Sequence, residues 1–290
     1  MEDPTDAELD AILAVAVSSA REAGGLIRAA CGSAKVDHTK ANDKDLVTVV
    51  DVACQSVIER AVAASFPAHT LLGEEAVAAG SAASTDALTA ALSQSGGGSG
   101  WLWIADPLDG TTNFCHGLPL SVVSIAVAHR GVVRVAVVFD PYRDELFTAT
   151  RGRGAHLNGA PLRVAATADL GAALFSVGFH SDERVGATMM RGAAALLRRV
   201  RGVRNLGSAA LHLAYVAAGR LSGFIELDLS SWDVSAGSLL VTEAGGRVAD
   251  MRGGPYTLAV RDIWATCGAP GVHEAGLAVL AAADAASMPR

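Results

Sequence analysis

The apolar run Trp101-Leu102-Trp103-Ile104-Ala105 has the character of a buried strand, and it stops at Asp106-Pro107-Leu108-Asp109-Gly110-Thr111-Thr112-Asn113-Phe114. This is the stretch that most limits what the chain can build. A buried strand ends in two carboxylates, and a glycine, two hydroxyls and a helix start follow. Carboxylates collect hard cations, and a Gly-rich turn with free backbone N–H groups collects anions. A site that does both suits a metal-bridged phosphate ester.

Charge sharpens that reading. The formal net charge is -7, so there is no global basic field, and nucleic acid is not expected as a partner. A phosphate dianion would be repelled by an acidic site unless cations intervene. The start, Met1-Glu2-Asp3-Pro4-Thr5-Asp6, lacks the basic and apolar segments of a signal peptide. No stretch offers about eighteen apolar residues free of charge and glycine, so no membrane span is expected. Cys31, Cys54, Cys115 and Cys267 are scattered, with no C-x-x-C pair, which fits neither a disulfide frame nor a zinc site. A cytoplasmic location is the expectation.

Thr5-Asp6-Ala7-Glu8 has the form of a capping box, and Leu9, Ile12, Leu13, Ala16, Val17 and Ala20 follow at helical spacing. Gly24-Gly25 weakens this helix on its way to Cys31. Leu46-Val47-Thr48-Val49-Val50 reads as extended, Asp51 as the opening of a second helix, and Pro67 as its stop. Residues 76–100 are rich in Ala, Ser and Gly, which predicts a mobile surface loop with a short helix around residues 86–92. Residues 121–129 and 132–139 read as strands joined at Arg130-Gly131, residues 145–150 as a third, and Asn158-Gly159 as another tight turn. Strands at 173–177 and 224–227 then alternate with helices at 187–200, 208–218, 232–244 and 273–286. The pattern predicts an α/β (α+β) layering within one domain of 290 residues, antiparallel to about residue 150 and alternating after it.

Five acids stand where strands or loops end: Asp51, Glu74, Asp106, Asp109 and Asp233, with Glu75 and Glu226 close behind. No His, Cys or Lys cluster accompanies them, and an all-oxygen set suits Mg²⁺ over Zn²⁺. Two carboxylates about 5 Å apart repel by roughly 3 kcal/mol at an effective dielectric near 20, so such a cluster implies bound cations. Singly, each acid has a plainer reading: Asp106-Pro107 as a turn, Asp109 as a helix cap, Trp232-Asp233 as a capped helix start. The whole string Asp-x-x-Asp-Gly-Thr-Thr should arise by chance in on the order of one in several thousand chains of this length, which favours the functional reading.

Together these residues resemble the inositol monophosphatase family of Mg²⁺-dependent, lithium-sensitive phosphatases. Leu72-Gly73-Glu74-Glu75 looks like the family's G-E-E motif, and Trp103 through Phe114 is similar to its most diagnostic motif. Trp232-Asp233-Val234-Ser235-Ala236-Gly237 with Glu243-Ala244-Gly245-Gly246 looks like the C-terminal motif. Asp45-Leu46-Val47-Thr48 through Asp51 matches the segment that carries an active-site Asp. The resemblance implies a layered α/β/α/β/α sandwich of the inositol monophosphatase and fructose-bisphosphatase type, usually a homodimer.

It also implies roles. Glu74, Asp106 and the carbonyl of Leu108 would hold one Mg²⁺; Asp106, Asp109 and Asp233 a second; a third, weaker ion would use Glu74. Thr111 and Glu74 would position and deprotonate the attacking water, with Asp51 bonded to the Thr111 hydroxyl. Asp109, Gly110, Thr111, Thr112 and Asp233 would face the phosphate, and Ser208 and Ala209 match a strip along the substrate. Glu226 matches a contact to an inositol hydroxyl, Lys40 a mobile basic residue near the metals, and Glu75 the second acid of its motif. The implied reaction is hydrolysis of myo-inositol 1-phosphate; histidinol phosphate and L-galactose 1-phosphate are substrates of relatives, and a non-enzymatic regulatory protein is the alternative of another class. Three features depart from the family. Residues 76–100 are longer than usual and are expected to stay clear of the chemistry. Ser176-Val177-Gly178-Phe179-His180 is unlike the corresponding segments, which puts substrate contacts there in doubt. Cys115 stands where an aliphatic residue is common and reads as a packed small hydrophobe.

Overall fold

Helix α1 (Asp6–Ala30) starts where the capping box places it: Thr5 accepts from the Glu8 N–H, and the Glu8 carboxylate takes the Thr5 N–H at 2.8 Å. The computed structural model describes residues 3–32, 36–39 and 46–286. Gly24-Gly25 lies inside α1 and does not break it. A Cβ at Gly24 would sit 2.5 Å from the Phe139 ring, so glycine is what lets the helix lie close on the sheet. Strands β1 (Val36–Thr39) and β2 (Leu46–Thr48) pair antiparallel. Helix α2 (Val49–Ser65) begins two residues before Asp51, so Val49 and Val50 are helical and not extended. Thr48 is the cap, and Asp51 closes the box by accepting the Thr48 N–H at 2.9 Å.

Strand β3 (Thr70–Gly73) leads into a 3-10 turn at Glu74–Ala76 and then helix α3 (Ser81–Gly97). Residues 76–100 were expected to be mostly loop; instead α3 runs for 17 residues. Leu88 and Ala91 bury against the core, which overrides the weak propensity of Ser and Gly, and Ser84 and Thr85 bond back to the Ser81 carbonyl. Then follow β4 (Trp101–Asp109), α4 (Thr111–Cys115), β5 (Val122–His129), β6 (Val132–Asp140), β7 (Glu145–Thr150), β8 (Ala155–Leu157) and β9 (Ala160–Pro161). They form a seven-stranded sheet in sequence order from β3 to β9, with β3 and β4 parallel and the other pairs antiparallel.

The second sheet holds β10 (Leu174–Val177), β11 (Gly202–Arg204), β12 (Gly223–Glu226), β13 (Arg247–Ala249) and β14 (Ile263–Thr266), in the order β11-β10-β12-β14-β13. Helices α5 (Glu183–Leu197), α6 (Ala209–Ala217), α7 (Ser231–Glu243) and α8 (Pro270–Ala282) complete the chain. Helix α5 begins four residues before the expected position because Asp182 caps it. Strands β11, β13 and β14 are too short to show a sequence period and were not anticipated.

The alternation of β4 fixes the layers. Trp101, Trp103 and Ala105 pack with α1 and α2, whereas Leu102 and Ile104 pack with α6 and α7. Helix α7 touches both sheets, and α5 and α8 join Phe175, Ile225 and Trp264 of the small sheet in a third core. The result is the helix–sheet–helix–sheet–helix sandwich expected from the resemblance. Among the described residues no helix is long and apolar enough to cross a membrane.

Candidate functional site

Asp106 continues the β4 face of Leu102 and Ile104, so the pleat aims it at the α6–α7 layer. Its partner across the ladder is Ser124, whose hydroxyl donates to the Trp232 carbonyl at 3.1 Å, at the start of α7. The β4–β5 register slips between Asp106 and Asp109. Pro107, which has no N–H to give, sits in that bulge, and the Leu108 N–H turns inward to Asp106 Oδ1 at 2.9 Å. The strand thus runs through both carboxylates and does not end before them. Gly110 follows at φ 96°, where a Cβ would lie 2.8 Å from the Leu120 carbonyl oxygen, so only glycine fits.

Three helix starts then bring polar groups to this bulge. Asp109 Oδ2 accepts from Ser208 Oγ at 2.6 Å and from the Ala210 N–H at 2.7 Å, at the opening of α6. Asp233, in the first turn of α7, accepts the Ser230 N–H at 2.6 Å. The Thr111 hydroxyl lies 3.1 Å from both Asp51 Oδ1 and the Leu108 carbonyl, and Asp51 is steadied by the Thr48 hydroxyl and N–H. Glu74 opens the 3-10 turn after β3. A cavity of about 670 Å³ is lined by Glu74, Asp109, Ser208, Ala209, Glu226 and Asp233 together.

Asp51, Asp106, Leu108, Gly110, Thr111 and Thr112 are not part of that lining, and Thr112 is exposed. Glu75 is half-buried, with its N–H on Gln55 Oε1 at 2.8 Å. Lys40 and Asp45 lie outside the described residues. Cys115 is half-buried against the α1–α2 core, as a small hydrophobe would be.

Burial is the first cause of the site's electrostatics. It drives the Asp106 and Asp233 carboxyls well above the usual carboxylate range, and the charges of Glu74 and Asp109 push both further. Asp109 rises to about 6, mainly by burial and against the bonds from Ser208 and Ala210. Glu226 rises to about 8, through burial and then the charge of Asp109. Asp51 is raised by burial and held back by Thr48 and Thr111. Among the described residues no three acidic, histidine or cysteine side chains already close on one point as a complete ligand set. The donors that share this field are nonetheless all oxygen, buried or half-buried, and mutually repelling, which is the chemistry a hard divalent cation offsets.

Part of the cavity wall was not anticipated. Gly80 and Ser81 at the start of α3, His180, Asp228 and Arg261 line it as well. Residues 76–100 therefore reach the site they were expected to avoid. No local motif marks these positions; strand register and helix docking bring them in.

The model of the inositol monophosphatase family matches residues 8–284. The Nus factor SuhB of Escherichia coli K12 is 43% identical over 271 residues, covering 92% of this chain and 94% of that protein. Inositol monophosphatase 3 of Solanum lycopersicum is 40% identical over 263 residues, covering 89% and 92%. The solved structure of an inositol monophosphatase from Anabaena (Nostoc) sp. PCC 7120 superposes with a TM-score of 0.77 at 33% identity, covering 94% of this chain and 96% of that one. With sequence motifs, layered fold and relatives in agreement, the chain belongs to the inositol monophosphatase family.

Proposed function

We propose that the protein is a Mg²⁺-dependent phosphomonoesterase whose substrate is myo-inositol 1-phosphate or a closely similar polyol monophosphate. The observation that carries this reading is the group Asp106, Asp109 and Asp233, whose carboxyls are raised by burial and by the charge of Glu74, with Glu74, Asp109 and Asp233 lining one cavity with Glu226. The residues fit Mg²⁺, on which the family generally relies. Glu74, Asp106, the Leu108 carbonyl, Asp109 and Asp233 would hold it. Bound there, it supplies Lewis-acid neutralisation of the ester's charge.

The chain's own groups do the rest. Asp51 and the Leu108 carbonyl hold the Thr111 hydroxyl in one place, so its lone pairs orient the attacking water. Glu74 takes that water's proton. The backbone of Gly110 and Thr111, with Thr112 beside them, receives phosphate oxygens, and glycine at 110 lets the chain come close. The alcohol leaves along the strip of Ser208 and Ala209, with one of its hydroxyls on the Glu226 carboxyl. Positioned base catalysis of this kind contributes about 10²–10⁴-fold.

A panel of sugar and polyol monophosphates, assayed for phosphate release with Mg²⁺, tests the reading. Release from an inositol or similar polyol ester supports it, and folded protein silent on every ester contradicts it. Millimolar lithium is expected to inhibit, and full activity in lithium at high Mg²⁺ and saturating substrate counts against the assignment. A second reading is favoured by 43% identity to proteins named Nus factor SuhB, which aligns 92% of this chain with one of them: a regulatory protein on the same fold. In that case the carboxylates are retained without turnover, and the same panel separates the two.

A further inference from the structure

Strands β10 and β12 run parallel in the register Phe175↔Gly223, Ser176↔Phe224 and Val177↔Ile225. Continuing it sets Gly178 beside Glu226 and His180 beside Asp228. The Gly178 N–H donates to the Ile225 carbonyl at 3.0 Å, so the pairing persists past the strand end. A Cβ at Gly178 would collide with the Glu226 carboxylate. The segment that departs from the family's usual sequence thus packs against the residue assigned to the leaving group, and two residues later it delivers His180.

His180 and Asp228 form a donor–acceptor pair on the cavity wall. His180 Nδ1 accepts the Asp182 N–H at 3.0 Å, which places the ring proton of the neutral imidazole on Nε2. Nε2 lies 3.8 Å from Asp228 Oδ2, too far for a hydrogen bond of its own. Asp228 is held by two residues: Ser81 Oγ donates to its carboxylate at 2.6 Å and Arg261 Nε at 2.8 Å, and Arg261 Nη1 in turn donates to Ser84 Oγ of α3 at 2.6 Å. The Asp228 side chain is 7% exposed, and its backbone stands at φ 60°, a conformation that costs about 1 kcal/mol or more and persists where its surroundings over-determine it.

We propose that His180 Nε2–H and the clamped Asp228 carboxylate form a second hydroxyl-binding subsite, beyond Glu226, that selects polyhydroxylated leaving groups. A hydroxyl accepts from the imidazole and donates to the carboxylate, and adjacent hydroxyls of a ring polyol satisfy both together. The pairings from α3 and Arg261 keep Asp228 in place, so residues 76–100 contribute to specificity. This inference rests on the phosphatase reading above.

Calorimetric titration separates the two. In a Thr111→Ala background with Mg²⁺, which removes turnover, adding His180→Ala is expected to weaken myo-inositol 1-phosphate about tenfold, the worth of one hydrogen bond to a charged or polar partner. Inorganic phosphate should bind within twofold of the background. Asp228→Gly, which suits the left-handed backbone and so protects folding, should give the same selective loss. Equal weakening of both ligands, or unchanged inositol 1-phosphate binding, overturns the subsite while leaving the hydrolysis reading intact. Binding of neither ligand in the background, with wild-type protein silent on all esters, overturns both. In the wild-type background, His180→Ala should raise KM for inositol 1-phosphate and spare glycerol 2-phosphate, which is too short to reach the pair.

Discussion

Gly178 shows how finely single residues set this site. Its Cα lies against the Glu226 carboxylate, with no room for a methyl group. Gly178→Ala is expected to displace Glu226 and raise KM for inositol 1-phosphate about tenfold or more, with a smaller change in kcat; steady-state kinetics beside a circular dichroism spectrum checks it. Asp106 gives the opposite kind of test. A carboxyl whose folded pKa lies above its unfolded value of about 4 costs stability as pH rises past that value. In chelator at neutral pH, Asp106→Asn should therefore melt a few degrees above wild type, by about 1–2 kcal/mol, because the amide has no charge to bury and none to set against Glu74, Asp109 and Asp233. Added Mg²⁺ should stabilise the wild type and not the variant. The carboxylates were legible in the sequence because they lie in short contiguous motifs. His180 and Asp228 were not, because only the register of β10 against β12 joins segments so far apart in the chain.

At the scale of elements, caps decided what propensity did not. Asp51 was read as the start of a helix, yet Thr48 starts it and Asp51 closes the box; the same bond that caps α2 holds the carboxylate that Thr111 needs. Residues 76–100 read as loop with a short helix around 86–92, but burial of Leu88 and Ala91 extends that helix over Ser81–Gly97, and its docking on Asp228 makes it part of the site. Composition carried no sign of that docking. Helix α6 offers a pH test. His212 is buried, accepts the Leu206 N–H on Nε2 at 2.8 Å, and lies tilted against the Phe224 ring. Burial lowers its pKa to about 3. The unfolded imidazole takes a proton near pH 6.5 and the folded one resists, so stability is complete above about 6.5 and is lost as pH falls toward 3. Melting temperature of wild type should fall more steeply between pH 6.5 and 4.5 than that of His212→Asn, by the equivalent of up to one proton; parallel curves would remove His212 from the account.

At the scale of the molecule, strand alternation and helix spacing pointed to layered sheets and helices, and the family resemblance implied their number, two sheets and three helical layers. The meeting of their edges was not. Asp106 comes from the large sheet, Asp233 and Asp109's partners from the helices between the sheets, and Glu226 from the small sheet. A layered fold puts these groups together only where a bulge, three helix starts and a strand end coincide, and that coincidence follows from packing over the whole chain. The central claim is that this junction hydrolyses a polyol phosphate with Mg²⁺. The measurement that meets it most directly is phosphate release from myo-inositol 1-phosphate by wild type and Asp233→Asn, with Mg²⁺ and with chelator. The expected result is Mg²⁺-dependent release by wild type and a loss of at least about 10²-fold in the variant, with both proteins folded. Release that persists in Asp233→Asn, or that ignores chelator, would contradict it.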